Sequence, residues 1–233
     1  MNYKFLYKLT YYNLKVIFAN KFIYFLITAV LIFLLVTIIN LFDSDSSFDS
    51  GSVYWLLLIP GLLLIFYPSN FSIQNDVDTR MLETLFGIPN YRYKVHLSRL
   101  FIMLALTLAV LFMLAILCSI TLTTVPLFSM LFQQMFPLLL ICSASFMIST
   151  FVRNGTASAV IMIIIGLFFF FGADALYESR WNLFHNPFNI PSDVNAFTWS
   201  ETTFYNRLYM VVGSILAILL GLRNLQKREW FVS

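Results

Sequence analysis

FIYFLITAVLIFLLVTIINLF, residues 22–42, carries no charged side chain and is bounded by Lys21 on one side and Asp43 on the other. A hydrocarbon core about 30 Å thick is crossed by roughly 20 apolar residues in a helix, so this stretch reads as a membrane span. Working outward, apolar runs recur near 52–71, 100–125, 128–152, 157–176 and 207–222. The last is short, and Thr203 to Tyr209 can extend it, with Arg207 snorkelling toward the interface. Composition agrees: the 233 residues are 60% hydrophobic, include 26 Phe and are only 11% charged, whereas soluble domains are about 25% charged. The expected fold is an all-α membrane protein with six transmembrane helices in a spanning domain over 22–222. A segment 1–21 precedes it and a tail 223–233 follows.

The cations orient these spans. Of the 14 Lys and Arg residues, all but Arg180 and Arg207 fall on one side if both termini share that side. Cytoplasmic loops retain Lys and Arg, so the expectation is a multi-pass protein of the cytoplasmic membrane with both termini in the cytoplasm. A miscounted span would break the sorting.

The first run is longer than the apolar region of a cleavable signal peptide, and Asp43-Ser44-Asp45-Ser46-Ser47 lacks an A-x-A-like cleavage site. It is therefore read as an uncleaved span. Ahead of it, at about 100° per residue, Lys4, Lys8 and Lys15 fall on one stripe and Phe5, Leu9, Tyr12 and Val16 on another. This pattern suits an amphipathic helix lying in the cytoplasmic interface against membrane lipids. A plain cytoplasmic extension of the first span fits the same residues. Cys118 and Cys142 lie within predicted spans, where small apolar packing is the ordinary role.

Between the second and third spans runs IQNDVDTRMLETLFGIPNYRYKVHLSRL, residues 73–100. Asp76, Asp78, Arg80 and Glu83 alternate with Val77, Met81, Leu82 and Leu85 at a spacing that suits a short amphipathic helix, which Gly87 and Pro89 would end. Such a helix could dock a cytoplasmic partner, its charges giving orientation and its Met and Leu residues contact area; a solvated linker is the plainer reading. The stretch resembles the loop of type-2 ABC exporter permeases, in which a Glu-rich segment, a Gly-Thr-Leu-Glu-like core, a Pro and an Arg- or Lys-rich tail precede the third span. The counterparts are Asp76 and Asp78, then Arg80-Met81-Leu82-Glu83, Leu85, Pro89, Tyr91-Arg92 and Arg99, with Arg80-Met81 standing where the family has Gly-Thr. Six spans, cytoplasmic ends, a basic lead-in helix and a longer outer segment extend the resemblance over most of the chain.

The resemblance implies that Asp76, Asp78, Arg80, Met81, Leu82, Glu83 and Leu85 contact a separate ABC ATP-binding subunit. It also implies a second permease copy, identical or related. ATP and Mg²⁺ would then belong to the partner subunit, and this chain would hold no cofactor.

The outer segment, residues 177–206, is rich in aromatics: Trp181, Phe184, Phe188, Phe197, Trp199, Phe204 and Tyr205. The resemblance implies short interfacial helices here, between spans five and six; an aromatic lid in the headgroup region is the alternative. His185 has no second His or Cys nearby to complete a metal shell. Pro60-Gly61 and Pro137 interrupt two spans. In the last span Gly213, Ala217 and Gly221 recur every four residues and offer a close-packing face, within the chain or in a dimer seam.

No G-x-x-x-x-G-K-[ST] phosphate cradle occurs, because no lysine follows a glycine. Neither an H-E-x-x-H zinc motif nor a G-x-S-x-G nucleophile elbow is present, so no enzymatic activity is expected of the chain itself. The basic residues follow topology and form no cluster for nucleic acid. The spans hold almost no mid-membrane acid or base, which argues against an ion-coupled secondary carrier. A non-transport scaffold or sensory subunit that recruits another cytoplasmic protein is the main alternative to the exporter permease.

Overall fold

A computed structural model describes residues 22–42, 49–78 and 92–225. Lys4, Lys8 and Lys15 of the lead-in helix, and Arg80, Met81, Leu82, Glu83 and Leu85 of the loop, lie outside the described residues. Those described form helices and turns, with no strand among them: α1 (Phe22–Phe42), α2 (Ser50–Asp78), a π-helical turn (Arg92–Leu97) leading into α3 (Ser98–Thr121), α4 (Leu127–Val152), α5 (Gly155–Phe171) and α6 (Ala196–Asn224).

Among the described residues, four helical stretches are long and apolar enough to cross a membrane: Ser50–Asp78, Val95–Thr121, Leu127–Val152 and Ala196–Asn224. The apolar parts of the other two helices, Ile23–Ile39 and Gly155–Phe171, are shorter. Large side chains such as Leu31, Ile39, Phe101, Met113, Phe128, Ile164, Phe171 and Leu219 are exposed on the outward faces. A contiguous apolar exterior of this kind is unstable in water and suits lipid.

Helix limits depart most from the apolar runs at three places, and the third helix also ends at Thr121, four residues before 125. The second helix continues seven residues beyond the apolar run ending at 71, to Asp78, so Asp76 and Asp78 stand on helix and not in a linker. The fifth stops at Phe171, five residues before 176: Gly172 still makes the helical bond to the Phe168 carbonyl at 3.0 Å, but the Ala173 amide turns to the Phe170 carbonyl at 3.3 Å and turns follow. The sixth starts at Ala196 and not near 207, and its 29 residues equal α2 in length. Its first turns hold Ser200, Glu201, Thr202, Thr203 and Asn206, which interrupt the apolar pattern yet suit a helix whose polar side faces polar neighbours. Asn195 caps it, its side chain accepting from the Phe197 amide at 3.0 Å. Short interfacial helices are not what residues 172–195 form: they fold as consecutive turns, and the rest of the expected outer segment belongs to α6.

The centre of the bundle is α2 against α4. Val53, Tyr54, Leu57, Leu58 and Ile65 of α2 are buried with Met130, Leu138, Cys142 and Phe146 of α4. Pro60, Pro68 and Pro137 lie inside these helices, which run through them. Side chains add donors to the buried backbone: Ser69 donates to the Ile65 carbonyl (2.6 Å), Asn70 to that of Phe66 (2.7 Å) and Gln134 to that of Tyr54 (2.9 Å). Such bonds matter where no water can replace them. Around this pair, α1 packs on α2 through Ala29, Phe33 and Thr37, one residue per turn. The buried stripe of α3 is Leu100, Met103, Thr107, Leu111, Leu114 and Cys118.

Gly213, Ala217 and Gly221 settle α6 against α4 of the same chain. A Cβ on Gly221 would stand 2.7 Å from Phe146 Cε1, and one on Gly213 would stand 3.2 Å from Leu140 Cδ1, while Ala217 is buried. This face is thus closely packed within the chain. Cys118 and Cys142 are buried free thiols.

Candidate functional site

Two polar constellations sit at opposite ends of the bundle. At the end where α2 finishes, Asp76 is only 2% exposed and its Oδ2 accepts from Arg99 Nη1 at 2.5 Å. Arg99 lies in the first turn of α3, so this buried ion pair joins α2 to α3. Two residues earlier, Gln74 Oε1 accepts from the backbone amide of Gly155 at 2.6 Å, joining α2 to the first residue of α5. The turn between α4 and α5 is tight. Arg153 closes α4 in the left-handed region at φ 59°, and Asn154 caps α5 by accepting from the Ala157 amide at 3.0 Å. Gly155 has no room for a side chain, since a Cβ would collide with the Phe71 ring and with Gln74 Oε1. Asn224 near the end of α6 donates to the Thr150 carbonyl of α4 at 2.6 Å. Five helices are thus pinned in pairs at one end.

The two sequence-predicted residues visible here part company. Asp76 points inward to Arg99, so its carboxylate is occupied within the chain. Asp78 is exposed, and among the described residues its Oδ2 accepts a long 3.4 Å bond from Gln74 alone. At 100° per residue the two carboxylates stand about 200° apart on the helix.

At the other end the centre is Arg207, which is 5% exposed. It does not snorkel outward, because acceptors from three helices and the turn segment surround it. Nε donates to Gln133 Oε1 of α4 at 2.9 Å, Nη1 to Asn206 Oδ1 at 2.9 Å, and Nη2 to the His185 carbonyl at 3.0 Å and to the Tyr54 hydroxyl of α2 at 3.4 Å. The Phe136 ring lies 5.7 Å from its guanidinium carbon. Among the described residues the ion pairs are Arg99–Asp76 and Arg180–Glu201, so Arg207 has no carboxylate there.

Residues 172–195 close over this centre. Asn206 donates to the carbonyls of Arg180 and Asn182 at 2.9 and 2.8 Å, and Asn186 donates to the Gly51 carbonyl at 2.9 Å, which fastens the turns to both α6 and α2. Trp181 stacks on Tyr209 at 4.5 Å, and Phe188 packs against Tyr54 at 6.0 Å. His185 is buried against Trp199, with Nε2 2.8 Å from Thr203 Oγ1. Thr203 Oγ1 already donates to the Trp199 carbonyl at 2.9 Å, so it accepts from His185, which puts the proton on Nε2. Burial, with the nearby Arg207 charge second, lowers the His185 pKa to about 4. The ring is neutral at physiological pH.

Below the turns, between α4 and α6, lies a cavity of about 640 Å³. A second, about 280 Å³, lies between α4, α5 and α6, with Met162, Phe169, Leu183 and Met210 in its walls. Among the described residues no group of three or more His, Cys, Asp or Glu is placed to hold a metal ion.

Sequence reading did not single out Gln74, Gly155, Tyr54, Gln133 or Asn206. Gln133, Asn206 and Arg207 are polar residues in otherwise apolar helices, and that shared oddity was the available signal. Comparison with protein families, with curated proteins and with solved structures finds no match.

Proposed function

We propose that this chain is the membrane subunit of an ABC exporter, with six spans, both termini in the cytoplasm and the Asp76–Arg99 end of the bundle facing a separate ATP-hydrolysing subunit. Two permease copies and two such subunits make the working assembly, and ATP and Mg²⁺ are held by the partner. The observation that carries the reading is the continuity of α2. It runs from the buried core to Asp78 and is tied there to α3 through Asp76–Arg99 and to α5 through Gln74–Gly155.

The segment that follows Asp78 therefore leaves from the point where three helices are joined. A push by the partner on residues 78–85 would move α2, α3 and α5 together, and such coupling requires the partner's contacts to differ between two conformations. Asp76 serves as the internal anchor, while Asp78 and Glu83 carry the charge offered to the partner. In the opposite direction, the 172–195 turns cap the outer face. The substrate path lies between permeases.

The test is charge reversal at the exposed position. Asp78→Lys with Glu83→Lys should leave the chain folded and reduce both co-purification with a P-loop ATPase and the stimulation of its activity. Undiminished assembly and transport would sink the reading. Recovery of the chain with a partner that binds no nucleotide would favour a scaffold or sensory subunit, and flux driven by an ion gradient without ATP would favour a secondary carrier.

A further inference from the structure

We infer that the 640 Å³ cavity between α4 and α6 is a binding site for one anionic membrane lipid, its head against Arg207 and its chain along the aromatic wall. This stands apart from the exporter reading, since it needs only the chain in a bilayer.

Three observations support it. The first is charge. Arg207 lines the cavity and is buried with neutral acceptors and, among the described residues, no carboxylate. Holding a cation in a low-dielectric interior costs several kcal/mol when its charge is uncompensated, and an anionic head would supply the missing counter-charge.

The second is an excess of donors. Gln133 Oε1 is taken by Arg207, so the amide N–H₂ of the same side chain is what Gln133, itself part of the cavity wall, has left to offer. Trp199, also in the wall, is buried and its indole N–H has no acceptor among the described residues. A buried donor without a partner costs about 1–3 kcal/mol. Among the lining residues no Asp or Glu is present to satisfy either. A phosphate would offset the Arg207 charge, whose five N–H groups are already taken by Gln133, Asn206, Met210, Tyr54 and the His185 carbonyl, and would offer lone pairs to the Gln133 amide and the Trp199 indole.

The third is access. Phe132, Phe204 and Leu208 line the cavity while 61%, 65% and 44% exposed on the apolar exterior of the bundle. A ligand entering past them comes from hydrocarbon, which selects a lipid over a soluble anion. The volume falls within the roughly 300–1,000 Å³ usual for ligand pockets, enough for a head and part of one chain.

The experiment uses the full chain in phosphatidylcholine nanodiscs containing increasing fractions of brominated phosphatidylglycerol or, separately, brominated phosphatidylcholine. Quenching of Trp199 is read as the difference between the parent chain and Trp199→Phe. Half-quenching should need about tenfold less of the anionic lipid, the size of one charge-assisted hydrogen bond.

Arg207→Gln should abolish that preference. Because it could also disturb folding, Ser200→Phe provides a second test: it fills the cavity from an exposed lining position, leaves the Arg207 contacts in place, and should abolish Trp199 quenching. Equal quenching by the two lipids would overturn the inference. So would an anionic preference that survives Ser200→Phe, or full displacement of the lipid by millimolar inorganic phosphate, which would make the ligand a soluble anion.

Discussion

Gln74 holds the backbone of Gly155: its Oε1 accepts the Gly155 amide at 2.6 Å while the Phe71 ring, one turn earlier on α2, covers the same glycine. The two helices approach so closely that the missing Cβ is a structural requirement. Gly155→Ala should therefore destabilise the chain by about 1–3 kcal/mol, the usual cost of forcing extra volume into a packed site. Thermal unfolding in detergent would measure it, with half-buried Gly166→Ala as a control expected to be neutral or stabilising, since nothing lies within 4 Å of its Cβ position.

Removing either partner of the Asp76–Arg99 pair leaves a charge buried alone. Asp76→Leu or Arg99→Met should each cost roughly 3–5 kcal/mol, and the double variant should regain most of the loss, because a buried pair replaced as a unit is often neutral. Asp78→Asn, at the exposed position, should change stability by less than about 0.5 kcal/mol. A double variant as unstable as the worse single one would show that the pair contributes more than mutual neutralisation.

The neutral, buried His185 makes stability depend on pH. Its folded pKa of about 4 lies below the unfolded value of 6.5, so the unfolded chain binds the extra proton as pH falls through 6.5, and stability declines from there until the folded pKa near 4 is reached. The full loss is on the order of 3 kcal/mol. His185→Asn, which keeps a donor for Thr203, should flatten the fall in melting temperature between pH 6.5 and 4. An unchanged slope would place the sensitivity elsewhere.

At the α4–α6 contact, Gly221→Leu should destabilise strongly, by at least about 2 kcal/mol, because its Cβ meets both the Phe146 ring and the Met147 backbone. Gly213→Ala should be mild, since Leu140 Cδ1 is the movable end of a side chain. Loss of oligomers with unchanged monomer stability would instead make this face a seam between copies.

What was legible in the sequence was the membrane and most of the helices, because an apolar run of sufficient length has few other stable outcomes. The first run and α1 coincide at 22–42, and 128–152 differs from α4 by one residue. What hydropathy missed lay where polar residues stay helical. Thr203 and Asn206 lower the apolar average of the first turns of α6, but they bond the turns above and so extend the helix. Arg207 read as a snorkelling end because a sequence shows a long basic side chain near an interface but not the oxygens of Gln133, Asn206, Tyr54 and His185 around it. Asp76 was grouped with Asp78 by their spacing; only the position of Arg99, 23 residues on, separates an inward carboxylate from an outward one.

The bonds of Arg207 also limit how the protein can move. Its guanidinium is shared by α2, α4, α6 and the turn segment, so drawing any two of these apart at that end strips acceptors from a cation already out of water. This end should behave as a rigid block on the time scale of a working cycle, with displacement concentrated in α1, α3 and α5 and at the opposite end. Distance measurements between spin labels on α2 and α6 near Arg207 should therefore stay constant while labels beside Asp78 report change.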